Sequence, residues 1–289
     1  MKVAYLFDSG SSFNIAGQPD CYVVPMSITV KYNGIETKYL DNVNIDRNNL
    51  SEIINSDATI LTSQPNIGEI IALVEKLLNE YDLVISIPFS KHLSSTYNTV
   101  LSLQNEYDKT RFLVADANAM GITGNWLKNH IDDYLKSHST INQEAINQLA
   151  NKAKNNQCGG VIISDTKRLL IGGRVKSLKN LIIKTLKLKL IIKFKGNLEF
   201  TDKSISLKDA IDKLLKIIDN DCEFSKYGIK NCSIMADLND HQVNNELLNY
   251  VLEKLSTHTK VDYSFLPGCV ICHTGTNTFS ILIESNRTN

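Results

Sequence analysis

A chain of 289 residues with 43% hydrophobic composition is long enough for one large domain or two ordinary ones, each with a core of its own. Thirty-one Lys and Arg balance 31 Asp and Glu, so the basic excess expected of a nucleic-acid binder is missing. The six cysteines sit mostly inside apolar runs of a chain too long to need disulfide staples, which suits a reducing cytoplasm.

Val3 to Phe7 is a short apolar run closed by Asp8-Ser9-Gly10-Ser11-Ser12, a pattern that predicts a buried strand entering a polar loop. Asp8 follows too soon for the run to be a signal peptide. Cys21 to Val30 reads as a second strand, and Asn33-Gly34 as a hairpin turn before Ile35 to Leu40. Strand and helix then alternate: Thr59 to Leu61, a helix from about Asn66 to Tyr81, Leu83 to Ile87, a helix from about Ser95 to Tyr107, and Arg111 to Ala115. Such alternation predicts βαβ units and a mostly parallel sheet covered on both faces. Helices follow from about Asn118 to Asn156.

From Gly159 the pattern changes to a strand over Val161 to Ser164, a break at Gly172-Gly173, and a hairpin from Leu188 to Phe200 around Gly196-Asn197. Helices over Leu207 to Ile218 and Asn244 to Leu255 then mix with strands at Ser233 to Ala236, Val261 to Phe265, Val270 to His273 and Phe279 to Ile283. This predicts an α/β fold of two domains: residues 1–155 with a mostly parallel sheet, and residues 156–289 with a mixed sheet. Leu181 to Phe194 is the most apolar later stretch, but four lysines interrupt it and it is too charged to span a bilayer.

Two segments carry clustered hydroxyls where a strand gives way to a helix. Thr62-Ser63-Gln64-Pro65 suits a helix cap, with Pro65 at the first helical position. Leu93-Ser94-Ser95-Thr96-Tyr97 repeats the arrangement after the next strand. If those strands are parallel neighbours, both loops lie at their carboxyl ends, where open α/β sheets bind ligands and helix N-termini favour anions. Capping and anion binding both remain open on this pattern. Asp8 with Ser9 ends the first strand on the same predicted edge and reads as support for those hydroxyls, or as a turn-stabilising pair.

His273-Thr274 ends a predicted late strand, and a histidine beside a carboxylate can donate a charge-assisted hydrogen bond. Cys269 and Cys272 have the spacing of half a zinc site but no second pair, and read as core. Lys167 to Lys195 holds ten Lys or Arg and no Asp or Glu, which reads as a solvated face or as a docking surface for an acidic partner or a membrane. The phosphate-binding loop, the dinucleotide fingerprint, the serine-hydrolase elbow and the H-E-x-x-H zinc motif are all missing.

Asp8-Ser9, Val24-Pro25-Met26, Thr62-Ser63-Gln64-Pro65, Leu93-Ser94-Ser95-Thr96-Tyr97, Gly172-Gly173-Arg174 and His273-Thr274-Gly275 together resemble the DegV family in order and spacing, over nearly the whole chain. The resemblance implies a two-lobed fold with a three-layer N-terminal domain. It also implies a cytoplasmic fatty-acid-binding protein similar to the FakB subunits, which carry a fatty acid to a separate kinase for conversion to acyl phosphate. On the family pattern, Thr62 and Ser94 hydrogen-bond the carboxylate, Ser63, Ser95, His273 and Thr274 surround it, the acyl chain runs between the lobes, and Arg174 faces the kinase. The ligand is a long-chain fatty acid, with no cofactor, no metal and no catalysis in this chain. Two rivals stand beside this reading: a subunit that binds or phosphorylates a small hydroxyketone through His273, in the manner of dihydroxyacetone kinase, and a hydrolase with Ser94 as nucleophile and His273 as base.

Overall fold

A computed structural model describes residues 1–12, 14–175, 188–237, 241–255 and 261–287. The chain divides into two compact units. The first holds Met1–Leu50, Ala58–Lys154 and Pro267–Cys269, and the second Ser51–Asp57, Asn155–Leu266 and Val270–Asn289.

The first unit begins with β1 (Val3–Asp8), β2 (Cys21–Val24), β3 (Ser27–Tyr32), β4 (Ile35–Leu40) and the start of α1 (Arg47–Asn55). It continues through β5 (Thr59–Ser63), α2 (Ile67–Glu80), β6 (Leu83–Ile87), α3 (Thr96–Leu103), β7 (Phe112–Val114), α4 (Thr123–Ser137) and α5 (Gln143–Asn156). Four of these strands form a parallel sheet in the order β2-β1-β6-β7. Alternation along β1 and β6 sends Tyr5, Phe7, Ile85 and Ile87 to one face, where Leu127, Ile131, Ile146 and Ala150 cover them. Ala4, Leu6 and Val84 go to the other face, against Ile70, Val74 and Leu77 of α2. A strand buried on both faces is apolar at nearly every position, as β1 up to Asp8 and β6 apart from Ser86 are; the Ser86 hydroxyl donates to the Leu6 carbonyl at 3.3 Å.

Two readings of the sequence are corrected here. Cys21 to Val30 is not one strand: it breaks at Pro25, so that β2 stays in the parallel sheet and β3 leaves for a separate antiparallel sheet, β4-β3-β5. Proline has no N–H for a ladder, and a ten-residue apolar run hides that interruption. Consequently β5 is not a parallel neighbour of β6; it pairs antiparallel with β3. The helix after it starts at Ile67 with Asn66 as its cap, Oδ1 accepting from the N–H groups of Gly68 and Glu69, and Pro65 lies outside it.

The second unit contains β8 (Gln157–Ile163), α6 (Thr166–Gly172), β9 (Lys189–Phe194), β10 (Leu198–Ser204), α7 (Leu207–Cys222), α8 (Phe224–Tyr227) and β11 (Ile229–Asp237). It ends with α9 (His241–Leu255), β12 (Val261–Ser264), most of α10 (Gly268–Thr274) and β13 (Thr278–Ser285). Its mixed six-stranded sheet runs β10-β9-β8-β13-β11-β12, with β11 and β12 the parallel pair. One face packs Ile162, Ile191, Ile234, Ile281 and Ile283 against Ile211, Leu214 and Ile218 of α7 and Leu247 and Val251 of α9. The hairpin around Gly196-Asn197 forms as the turn residues predict.

Val270 to His273 was expected as a strand and is helical, part of α10. Short apolar runs carry no usable period, and here backbone bonding decides. Three helices, α1, α6 and the short α8, were not expected. Of the lysine-rich segment, residues 176–187 lie outside the described residues. Arg168 belongs to no surface patch. It is buried, and its guanidinium donates to the carbonyls of Ile54 at 2.6 Å and Ser56 at 2.8 Å, closing the C-terminal end of α1 within the second unit. Lys193 pairs with Asp221 and Glu199, Lys195 donates to the Asp221 carbonyl, and Lys189 donates to Ser164. Among the described residues no helix is long and apolar enough to cross a membrane.

Candidate ligand-binding site

In the first unit, the loops at the carboxyl ends of β1, β6 and β7 are stitched together. The N–H of Gly121 donates to the Gly10 carbonyl at 2.7 Å, and that of Ser90 to the Ala119 carbonyl at 2.9 Å. Asp8, the last residue of β1, is 1% exposed. Its Oδ1 accepts from the N–H groups of Gly10 at 3.0 Å and Ser11 at 2.9 Å, and its Oδ2 from that of Phe89 at 2.9 Å. Burial pushes this carboxyl up to about 6, with the hydrogen bonds pulling the other way. Ser9 does different work. Its hydroxyl donates to Asp41 at 2.9 Å and accepts from the Met26 N–H at 3.1 Å, and Asp41 also accepts from the N–H of Cys269 at 3.1 Å. Burial raises the Asp41 carboxyl as well.

Thr62 and Ser63 are the last two residues of a strand, not residues of a loop. Thr62 stands opposite Ile28 and Ser63 opposite Ser27, so the two hydroxyls point to opposite faces of the small sheet. Thr62 shares the face of Ile28, Val30 and Ile60 and is partly buried, while Ser63 is exposed. Ser94 and Ser95 precede α3. The Ser94 hydroxyl lies 2.8 Å from the Thr96 hydroxyl and accepts from the Thr96 N–H at 3.3 Å, whereas Ser95 is exposed and makes no side-chain cap. Thr96, 1% exposed, was not singled out in the sequence, although a serine two residues before a buried threonine at a helix start is a local side-chain-to-backbone turn. The two segments are joined: the Thr99 hydroxyl, one turn into α3, donates to Gln64 Oε1 at 2.8 Å.

In the second unit, His273 and Thr274 close α10, and Gly275 follows in the left-handed region at φ 76°, as a helix-ending glycine does. The Thr274 hydroxyl is buried and donates to the carbonyls of Val270 at 3.3 Å and Gly275 at 3.4 Å, so its one proton is directed at the backbone of its own turn. Thr276 donates to Asn55 Oδ1 at 2.7 Å. Burial, and secondarily the charge of Arg174, hold the His273 imidazole down to about 4. It is therefore neutral at physiological pH in the ligand-free protein.

That depression has a measurable consequence for stability. Above the ordinary value of 6.5 both folded and unfolded chains carry neutral His273. As pH falls from 6.5 toward 4, only the unfolded chain takes up the proton, so the folded state loses up to about 3 kcal/mol from this residue. Asp8, raised by burial, moves the other way but is common to wild type and variant. Urea unfolding of wild type and His273→Gln at pH 7 and pH 4.5 should therefore show the wild type losing ground to the variant on acidification. Parallel curves at the two pH values would contradict the buried, neutral imidazole.

The sulfurs of Cys269 and Cys272 are buried free thiols, and among the described residues no cluster of His, Cys, Asp and Glu could hold a metal ion. The side chains of the first unit singled out in the sequence for the head group, Thr62, Ser63, Ser94 and Ser95, are all neutral hydroxyls. Lys91, on the loop before Ser94, is already paired with Asp116 at 2.7 Å.

Comparison with known proteins agrees with this architecture. The family described as uncharacterised proteins of the DegV family matches residues 2–286. A DegV domain-containing protein of Ureaplasma parvum is 36% identical over 212 residues, covering 73% of this chain and 97% of the relative. A fatty-acid-binding DegV family protein from Thermus thermophilus superposes with a TM-score of 0.82 at 20% identity, covering 99% of this chain and 100% of that one. A stearic-acid-binding protein from Eubacterium ventriosum gives 0.81 at 17% identity, with 98% of both chains covered. The matched span, the two sheets and the identity to the Ureaplasma relative lead to one assignment: this chain belongs to the DegV family.

Proposed function

We propose that this protein binds a long-chain fatty acid and that the hydroxyls of its first unit hold the carboxylate. The observation that carries the proposal is the coupling of two hydroxyl-bearing segments through the Thr99–Gln64 bond, with Ser94 and Thr96 already in contact. If the Thr96 hydroxyl donates to Ser94, the Ser94 proton is free for an anion. Neutral donors satisfy a buried carboxylate without locking it in a strong ion pair, so it stays reactive. Most of the affinity comes from the tail, since burying a chain of about sixteen carbons at about 0.8 kcal/mol per methylene gives on the order of 10 kcal/mol before association costs.

Solved relatives described as binding fatty acids support this reading. The finer parts rest on the family resemblance: a cytoplasmic, non-catalytic carrier in which Ser95, His273 and Thr274 surround the head group, Arg174 meets a partner, and a separate kinase makes the acyl phosphate; Ser63, turned to the other face of its strand from Thr62, is left out of that set. The hydrolase reading ranks low because no elbow motif positions Ser94 as a nucleophile.

Native mass spectrometry of the purified protein, followed by organic extraction, tests the proposal. A mass excess that extracts as a fatty acid is expected. A protein that is isolated empty and fails to take up added palmitate overturns it.

A further inference from the structure

We propose that Asp8 is a positioning residue for the head-group hydroxyls: its carboxylate ties the segment Phe89–Ser94 to the end of β1 and so sets where Ser94 stands. The inference rests on the fatty-acid reading and names how that site is kept in shape.

A turn-forming aspartate needs only one oxygen. Oδ1 of Asp8 already closes its own turn by accepting from Gly10 and Ser11. Oδ2 points elsewhere and accepts the Phe89 N–H at 2.9 Å, from the loop that follows β6. The loop is then carried without slack to the hydroxyl. The N–H groups of Leu93 and Ser94 both donate to the Ser90 carbonyl, at 2.9 and 3.0 Å, the His92 N–H donates to the Ser90 hydroxyl, and Ser94 contacts Thr96 at the head of α3. Behind Phe89 the fit is tight: a Cβ on Gly10 would lie 2.8 Å from the Phe89 ring. Keeping a charge 1% exposed is costly, and three N–H donors are the compensation. Two of them serve the turn and the third serves the hydroxyl loop.

Asp8→Asn isolates the third. Asparagine forms the same turn through its carbonyl oxygen but presents an NH2 group to the Phe89 N–H, setting donor against donor. In this variant the Phe89 amide should exchange faster while those of Gly10 and Ser11 stay protected. Palmitate affinity should fall about tenfold. Hexadecanol, which has the same tail and no carboxylate, should bind within about twofold of wild type. Gly10→Ala keeps the Asp8 carboxylate and the Gly10 N–H that it accepts but crowds the Phe89 ring, should give the same selective loss, and serves if Asp8→Asn does not fold. An opened Phe89 amide with unchanged palmitate affinity overturns the proposal, as does an equal loss of palmitate and hexadecanol, which would mark Asp8 as merely structural. Wild-type protein that binds no palmitate sinks the fatty-acid reading itself.

Discussion

Thr62→Ala combined with Ser94→Ala should lower palmitate affinity about a hundredfold or more while leaving the circular dichroism spectrum unchanged. On the proposed function each hydroxyl would donate one hydrogen bond to a charged acceptor, about 1.5–3 kcal/mol apiece, and every 1.4 kcal/mol is a factor of about ten. Neither side chain holds up the core: Thr62 is only partly buried at the end of β5, and Ser94 lies in the loop ahead of α3. Ser63→Ala is the matching control, since that hydroxyl points to the other face of the strand. Its effect should stay within about twofold. Titration of the double variant with palmitate and with hexadecanol separates head-group loss from damage to the tail site. Unchanged palmitate affinity removes both residues from the site.

Gly124→Ala should destabilise the first unit by on the order of 3 kcal/mol. In an ordinary exposed helix the same change is favourable by about 1 kcal/mol, so the sign of the effect is informative. Gly124 sits in the first turn of α4, and a Cβ there would lie 1.9 Å from the Ser11 carbonyl oxygen and 3.1 Å from its carbon. Both obstacles are backbone, which cannot swing aside as a side chain can. The loop that would have to move contains the Asp8 turn. Urea unfolding followed by tryptophan fluorescence of Trp126, buried on α4 two residues further on, reports on the same helix. A loss below about 1 kcal/mol would show that the loop yields easily.

Much of the scaffold was legible in the sequence because it obeys local rules. β1 and β6 are almost wholly apolar and are buried on both faces, and Gly196-Asn197 forms the hairpin its residues demand. The DegV resemblance was legible too, through motifs spread from Asp8 to Gly275. What escaped is set by contacts distant in the chain. No period in Cys269-Val270-Ile271-Cys272 distinguishes helix from strand, whereas in the folded chain Asp41 receives the Cys269 N–H across more than two hundred residues. The position of β5 was misread because pairing partners are not written in a strand's own residues. α1 left a signal that went unused: Asp46 accepts from the Asn49 N–H at 2.9 Å, an N-terminal cap just ahead of Arg47. Thr96 was overlooked because a buried threonine at a helix start looks like any other capping residue.

Strand register gives the Thr62-Ser63 doublet a meaning that neither residue has alone. Because neighbours on a strand face opposite ways, only one member can address a given side, and the residue beside it is chemically almost its twin. A single-residue deletion just upstream would bring Ser63 opposite Ile28, into the place and orientation Thr62 now holds. A hydroxyl would still be presented, one methyl group smaller.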